Sequence, residues 1–207
     1  MGVPSAAPVP GPPPRRRIAP VTVAWTDPLR RIVRADAPWP GDGFREAGPW
    51  HRFDHHDAAD PRPRGVLYAA PALGVCVAEV FEAPGAIERP GDWRLVRLEV
   101  ARPLELLDLR GPAAMRAGTV DAIGGGAPRP VSQAWARFIY DHPDRYGQVD
   151  GLLYRSRTLG GDAVCLWERA RDAIGADAAW RLTDPAVFGS VLVAAERCGL
   201  AVGPTGA

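Results

Sequence analysis

The chain has 207 residues, 46% apolar and 24% charged, proportions that suit one globular domain with a real core and exclude two large ones. Its 25 basic and 24 acidic side chains leave a formal net charge of +1. That excludes the strong positive field of a non-specific nucleic-acid binder and favours a small-molecule or protein partner.

Cys76, Cys165 and Cys198 stand far apart among apolar neighbours, without a CxxC pair, so buried, reduced thiols are expected. No apolar run approaches the ~20 residues of a membrane span, and the N-terminus lacks the apolar stretch of a secretory signal. A cytoplasmic protein without membrane contact is the expectation.

Residues 1–20 (MGVPSAAPVPGPPPRRRIAP) are too rich in proline to donate backbone hydrogen bonds and too poor in apolar surface to offset ordering. A disordered or polyproline tail is expected there, with Arg15, Arg16 and Arg17 as a solvated charge run. A single domain is expected over 21–203. Residues 29–34 (LRRIVR) read as a strand leading into a loop that holds Trp39, Trp50 and Arg52, and 65–70 (GVLYAA) as a short apolar strand. Pro71 suits the first position of a helix over 72–83, which Pro84 and Gly85 stop. In 93–100 (WRLVRLEV), Val96, Leu98 and Val100 alternate with Arg97 and Glu99, the pattern of a half-buried strand. Another strand is expected over 104–109 and a short helix after Pro112, ahead of the Gly124–Gly125–Gly126 loop. Val131, Ala134, Trp135, Phe138 and Ile139 recur at helical spacing up to Pro143. Residues 152–155 and 163–167 look like paired strands around a turn at 160–162. The last helix is punctuated by Asp184 as N-cap, Pro185 at its first position and Gly199 beyond its end, with Val187, Phe188, Val191, Leu192 and Ala195 as its stripe. Strands and helices mix without βαβ alternation, which favours an α+β fold over a doubly wound sheet.

Familiar catalytic signatures are absent: no phosphate-binding GxxxxGK[ST] loop, no GxGxxG opening a helix, no GxSxG elbow. The HRFDHH stretch at 51–56 offers imidazoles and a carboxylate to a metal, but no second cluster supplies the remaining ligands and His142 is the one histidine elsewhere, so a polar loop around Arg52 is the preferred reading. What remains is a set of scattered polar residues beside apolar segments. Arg52 lies in WHRFDHH, Tyr68 ends GVLY, Glu79 interrupts VCVAEVF, and Ser156 follows LLYR. On pattern alone, Arg52 suits a surface ion pair as well as a ligand, Tyr68 a core aromatic, and Ser156 a turn. Glu79 fits a bland role least comfortably, because Val75, Cys76, Ala78 and Val80 surround it.

These residues stand in the order and surroundings of a known family. HRFDHH followed by RGVLYAAPALGVCVAEVF, then DGLLYRSRTLGGDAVCLWERA, with Arg31 of LRRIVR ahead of them, resembles the RES family, named for Arg, Glu and Ser. The resemblance covers about residues 25–175. It implies an α+β fold related to the ADP-ribosyltransferases, with small mixed or antiparallel sheets, flanked by helices, around an NAD⁺ cleft. It further implies a toxin that consumes NAD⁺ by phosphorolysis or hydrolysis of the nicotinamide–ribose bond. NAD⁺ would be a substrate rather than a resident cofactor, inorganic phosphate a co-substrate, and no metal is required. The implied protein partner is an antitoxin of the Xre, MbcA or ParS type, and a homo-oligomer is compatible with the resemblance.

In that scheme Arg31 and Arg52 grip the pyrophosphate, since guanidinium groups donate bidentate, charge-assisted bonds. Glu79 stabilises the positive charge that develops on the ribose and hydrogen-bonds its hydroxyls. Tyr68 borders the nicotinamide. Ser156 binds phosphate or orients the ribose; without a neighbouring histidine base it is not a covalent nucleophile. The chain departs from the family pattern at Ile32, where an aromatic residue is common, and in the enlarged loop from Arg52 to Tyr68 that carries His55 and His56. Two alternatives stay open. One is an ADP-ribosyltransferase acting on a macromolecule, although Glu79 lacks an acidic partner two residues away and has only Glu82 three residues on. The other is a non-catalytic nucleotide-binding module.

Overall fold

The computed structural model describes residues 9–37, 40–57, 59–60 and 62–204, which leaves Trp39 and the first eight residues outside the described part. In chain order the elements are β1 (Thr22–Trp25), β2 (Leu29–Arg34), β3 (Val66–Ala69), α1 (Leu73–Phe81), β4 (Ala86–Ile87), β5 (Trp93–Val100), β6 (Leu104–Asp108), α2 (Gly111–Arg116), α3 (Arg129–Asp141), α4 (Pro143–Tyr146), β7 (Gly151–Arg155), β8 (Asp162–Trp167), β9 (Ile174–Arg181), α5 (Pro185–Arg197) and β10 (Ala201–Val202). This is the mixed α+β composition that the strand and helix patterns predict.

The strands form a five-stranded sheet in the order β1-β6-β7-β8-β3, a three-stranded sheet β2-β5-β9, and the small parallel pair β4 with β10. All neighbours in the two larger sheets are antiparallel except β6 and β7. Alternation along β7 and β8 builds two cores on the two faces of the five-stranded sheet. Leu152, Tyr154, Cys165 and Trp167 face α1 and α3 and pack with Phe53, Val77, Trp135 and Ile139. Leu153, Val164 and Leu166 face the second sheet and pack with Leu29, Val33, Val96 and Leu98. Gly151 is required at the join of β7 and β8, because a Cβ there would lie 2.2 Å from the Cys165 carbonyl oxygen. The three cysteines are free thiols. Among the described residues no helix is long and apolar enough to cross a membrane.

Several local expectations shift. The helix carrying Glu79 begins at Leu73 with Ala72 as its cap, so Pro71 precedes the helix instead of occupying its first position; its carbonyl accepts from Arg30. The buried side of α3 is Ser132, Gln133, Trp135, Ala136 and Ile139. It includes two polar residues because the Ser132 hydroxyl donates to the Ile123 carbonyl and Gln133 Nε2 donates to the His51 carbonyl. On α5, Asp184 caps the helix through the Ala186 amide at 2.9 Å, but the buried residues are Val191, Ala194 and Ala195, and Leu192 is exposed. Of the segment expected as a tail, residues 9–20 carry no helix or strand yet lie against the domain. The Pro10 carbonyl accepts from the Trp135 indole at 2.7 Å, Arg16 donates to the Thr119 carbonyl at 2.7 Å, and Ala19 and Arg116 exchange two hydrogen bonds.

Candidate functional site

Where the two sheets and α1 meet, a cavity of 720 Å³ opens, a volume in the range of small-molecule sites. Five parts of the chain supply its principal side chains: Arg31 and Arg34 from β2, Arg45, Trp50 and His51 from the segment before β3, Tyr68 from β3, Tyr154 from β7, and four residues of α1. From α1 come Val75, Cys76, Glu79 and Val80, which share one side of the helix at turn spacing. Val77, Ala78 and Phe81 turn the other way into the core. Glu79 is thus an exposed carboxylate on a mostly buried helix, and the cavity is what it faces.

Tyr68 offers its ring to the cavity and keeps its hydroxyl for the protein. The hydroxyl accepts from the Phe53 amide at 2.9 Å and donates to Asp54 Oδ1 at 2.9 Å, and burial pushes its pKa well above the usual tyrosine value. His51 meets the Tyr68 ring edge-on, with centroids 5.6 Å apart; burial, then the nearby Arg45 charge, lowers its pKa. Arg31 donates to the carbonyls of Gly41 at 3.3 Å and Gly43 at 3.0 Å, while its buried Nε has no partner among the described residues. Burial and the Arg45 charge bring its pKa down to about 10, the mark of a guanidinium short of a counter-ion.

Arg52 and Ser156 stand outside the cavity lining. Arg52 donates to the Ala127 carbonyl at 2.7 Å and approaches Ser132 Oγ at 3.5 Å. Burial lowers its pKa; Tyr154 and Glu79 act in the opposite direction, and the charges of Arg129 and Arg157 reinforce the lowering. Arg52 therefore belongs to the same electrostatic neighbourhood as Glu79, within a group of three arginines that form no salt bridge among the described residues. Ser156 follows the cavity residue Tyr154 by two positions, is buried, and leaves its hydroxyl unpartnered among the described residues. The turn after it is fastened to α1 by Thr158 Oγ1, which donates to Glu82 Oε2 at 2.6 Å.

Arg45 and Tyr154 matter here and were not marked by sequence pattern, and Asp54 was marked only as a carboxylate that a metal could take. Asp54 is fully buried and accepts from Arg45 through both oxygens at 2.8 Å, from the amides of Trp50 at 2.6 Å and His51 at 2.9 Å, and from Tyr68. Burial alone would raise its pKa, but the His51 amide, Arg45 and the Trp50 amide outweigh burial and hold it below the usual carboxylate value. Arg45 in turn lies under the Trp50 ring at 4.8 Å. All four residues that donate to Asp54 line the cavity. Tyr154 is buried among apolar strand residues, where its sequence context is that of any core aromatic.

The histidines of 51–56 diverge. His51 faces the cavity, whereas His55 is buried on the other side of the loop, with Nε2 3.1 Å from Glu168 Oε2 and its ring 4.4 Å from Tyr140 and 5.3 Å from Trp167. Among the described residues no group of three His, Cys, Asp or Glu side chains converges as a metal site.

The architecture is similar to that of a chain in the crystal structure of the M. tuberculosis MbcT–MbcA toxin–antitoxin complex. The TM-score is 0.58 at 19% sequence identity, over 83% of this chain and 92% of that one, a likeness of fold. No curated protein sequence matches the chain significantly. The model of the RES domain matches residues 28–185, a span that runs from β2 through β9 and contains every cavity residue named above; the chain belongs to the RES domain family.

Proposed function

We propose that this protein binds NAD⁺ in the 720 Å³ cavity and breaks its nicotinamide–ribose bond by phosphorolysis or hydrolysis, as a toxin restrained by a protein antitoxin. The observation that carries the reading is Glu79, a carboxylate on a mostly buried helix that faces a cavity between two tyrosine rings and a poorly compensated guanidinium. Departure of nicotinamide leaves positive charge on the ribose, and a fixed carboxylate stabilises that charge most when water is kept away. Tyr68 and Tyr154 provide apolar walls for the nicotinamide ring. Arg31 keeps donors for a pyrophosphate, for which the planar guanidinium is well shaped.

Arg52 feels both the Glu79 carboxylate and the charges of Arg129 and Arg157, and an excess of positive charge around Arg52 supports an anionic second reactant, inorganic phosphate over water. Ser156, whose buried hydroxyl has no partner among the described residues, adjoins Arg157 in sequence and is a neutral donor for that reactant. The antitoxin is suggested by the structural neighbour, which belongs to a toxin–antitoxin complex. In this reading the small sheets around the cavity are a version of the ADP-ribosyltransferase fold, and the protein acts in the cytoplasm.

The test is to incubate purified protein with NAD⁺, with and without phosphate, and to measure free nicotinamide. Release that depends on phosphate selects phosphorolysis, and release without it selects hydrolysis. Folded protein that releases none under either condition removes the proposal.

A further inference from the structure

A second cavity, of 540 Å³, lies between the three-stranded sheet, the start of α1 and α5, and shares no lining residue with the first. Its volume is again that of a small-molecule site. Two cross-strand rows of the sheet contribute to it. In one, Leu95 of β5 stands opposite Trp180 of β9, and in the next, Arg30 of β2 stands opposite Arg97 of β5. Leu73 from α1 and Val187 and Ser190, one turn apart on α5, supply further walls.

Two arginines directly opposite each other are an unfavourable choice for a sheet, because like charges in a cross-strand pair repel. The amide and the carbonyl of Arg30 are both bonded to Ala70, each at 2.8 Å. Toward β5 this is therefore the narrow, non-hydrogen-bonded kind of pair, whose side chains stand closest. Arg97 is compensated, by Glu99 at 2.7 Å and Asp177 at 3.5 Å. Arg30 is not. Among the described residues it forms no salt bridge, and its guanidinium has the Pro71 carbonyl as its one acceptor, which leaves most of its five N–H donors unused. Asp27 also lines the cavity, without pairing with either arginine. Its charge opposes a doubly charged ligand, while Arg30 attracts a singly charged one. Beside that guanidinium, buried Leu95 and half-buried Trp180, Leu73 and Val187 call for a hydrophobic body next to the charge.

We propose that this cavity is a second ligand site, which takes an amphipathic organic monoanion, with a carboxylate on Arg30 and a flat apolar body on Trp180 and Leu95. The probe is naphthalene-2-carboxylate, titrated calorimetrically into the full chain at neutral pH beside the uncharged naphthalene-2-methanol and the dianionic 2-naphthyl phosphate. The carboxylate is expected to bind saturably, and about tenfold or more tighter than either, the scale of hydrogen bonds to a charged group. Arg30→Gln keeps an amide that can donate to Pro71 but removes the charge, and should bring the carboxylate down to the affinity of the alcohol. Ser190→Trp starts from an exposed helix position, so the fold is retained while the indole fills the cavity; binding of all three should be lost. This second variant keeps the test decisive where Arg30→Gln does not fold. No saturable binding of the carboxylate to wild type, equal binding of carboxylate and alcohol, or binding that Ser190→Trp leaves unchanged overturns the proposal. Phosphate bound as tightly as the carboxylate overturns the assignment to a monoanion. Nicotinamide release plays no part in the readout, so the result is independent of the function proposed for the first cavity.

Discussion

Replacing Asp54 by Asn tests whether the cavity wall is held by one buried charge. The substitution preserves shape and removes one of two acceptor oxygens. An amide nitrogen at the Oδ2 position would face three donors, from Trp50, His51 and Arg45, so the side chain must keep its oxygen there. The nitrogen then falls at the Oδ1 position, where Tyr68 can turn to accept but Arg45 loses a bond and its counter-ion. Arg45 is 7% exposed, so it is left as an uncompensated buried cation. Breaking a buried pair by removing one charge costs about 3 kcal/mol, the lower end of the measured range. For a chain of this size about 3 °C of Tm accompanies each kcal/mol, which gives a fall of roughly 9 °C. Tyr68→Phe, which loses one donor and one acceptor around the same carboxylate, should cost only about 1–2 kcal/mol. The two changes should be strongly non-additive in a double-mutant cycle. Differential scanning calorimetry of the four proteins measures this directly. An Asp54→Asn midpoint within about 1 °C of wild type would refute the idea that the charge organises the wall.

Glu79→Gln should lower the rate of nicotinamide release by about a hundredfold or more while changing the Kd for NAD⁺ only a few-fold, because the carboxylate acts mainly on charge that exists in the transition state. Because Glu79 is exposed, the thermal midpoint should not move, and a large fall in Tm would show that it has a packing role instead. Arg129→Ala/Arg157→Ala should weaken the dependence on phosphate more than the KM for NAD⁺, as read from phosphate titrations at saturating NAD⁺; an unchanged phosphate curve would remove these two residues from the site. His51, His55 and His56 all have folded-state pKa values lowered from 6.5, by burial first in each case. Their contribution to stability is complete above the unfolded value and declines as pH falls below it toward the folded values, so the Tm should drop between about pH 7 and pH 5. A midpoint that rises over that interval would contradict the assignment. Gly151→Ala forces a methyl group onto the Cys165 carbonyl and should prevent accumulation of folded protein, as judged by yield and circular dichroism.

The parts of this structure legible in the sequence are those in which a local rule and the tertiary environment agree. β5 occupies the expected residues because Val96 and Leu98 alternate with Arg97 and Glu99, β2 because Leu29 and Val33 of LRRIVR are buried in the second core, and α5 starts where Asp184 and Pro185 mark it. β9 escaped notice because IGADAAWR is mostly small and polar residues and largely exposed, with its only bulky apolar side chains, Ile174 and Trp180, six residues apart. The side of α3 that is buried was misjudged because Ser132 and Gln133 are held inside by hydrogen bonds, a reason for burial that hydropathy does not register. At the site, Glu79 was legible as a charge among apolar neighbours on one helix. Arg45 and Asp54 were not, since the bonds that give them meaning span 9 residues to each other and 14 from Asp54 to Tyr68.

α3 connects two regions that the chain order keeps apart. At Trp135 it holds Pro10 of the N-terminal segment, and two residues earlier Gln133 holds the His51 carbonyl at the cavity, while Ser132 lies beside Arg52. A rigid rod with both attachments within one turn transmits displacement from one to the other. The choice of where to place an affinity tag is therefore a biochemical variable: a fusion or truncation that pulls the segment around Pro10 off Trp135 would loosen the loop bearing His51 and Arg52, and an apparently sluggish preparation could owe its kinetics to the handle used to purify it.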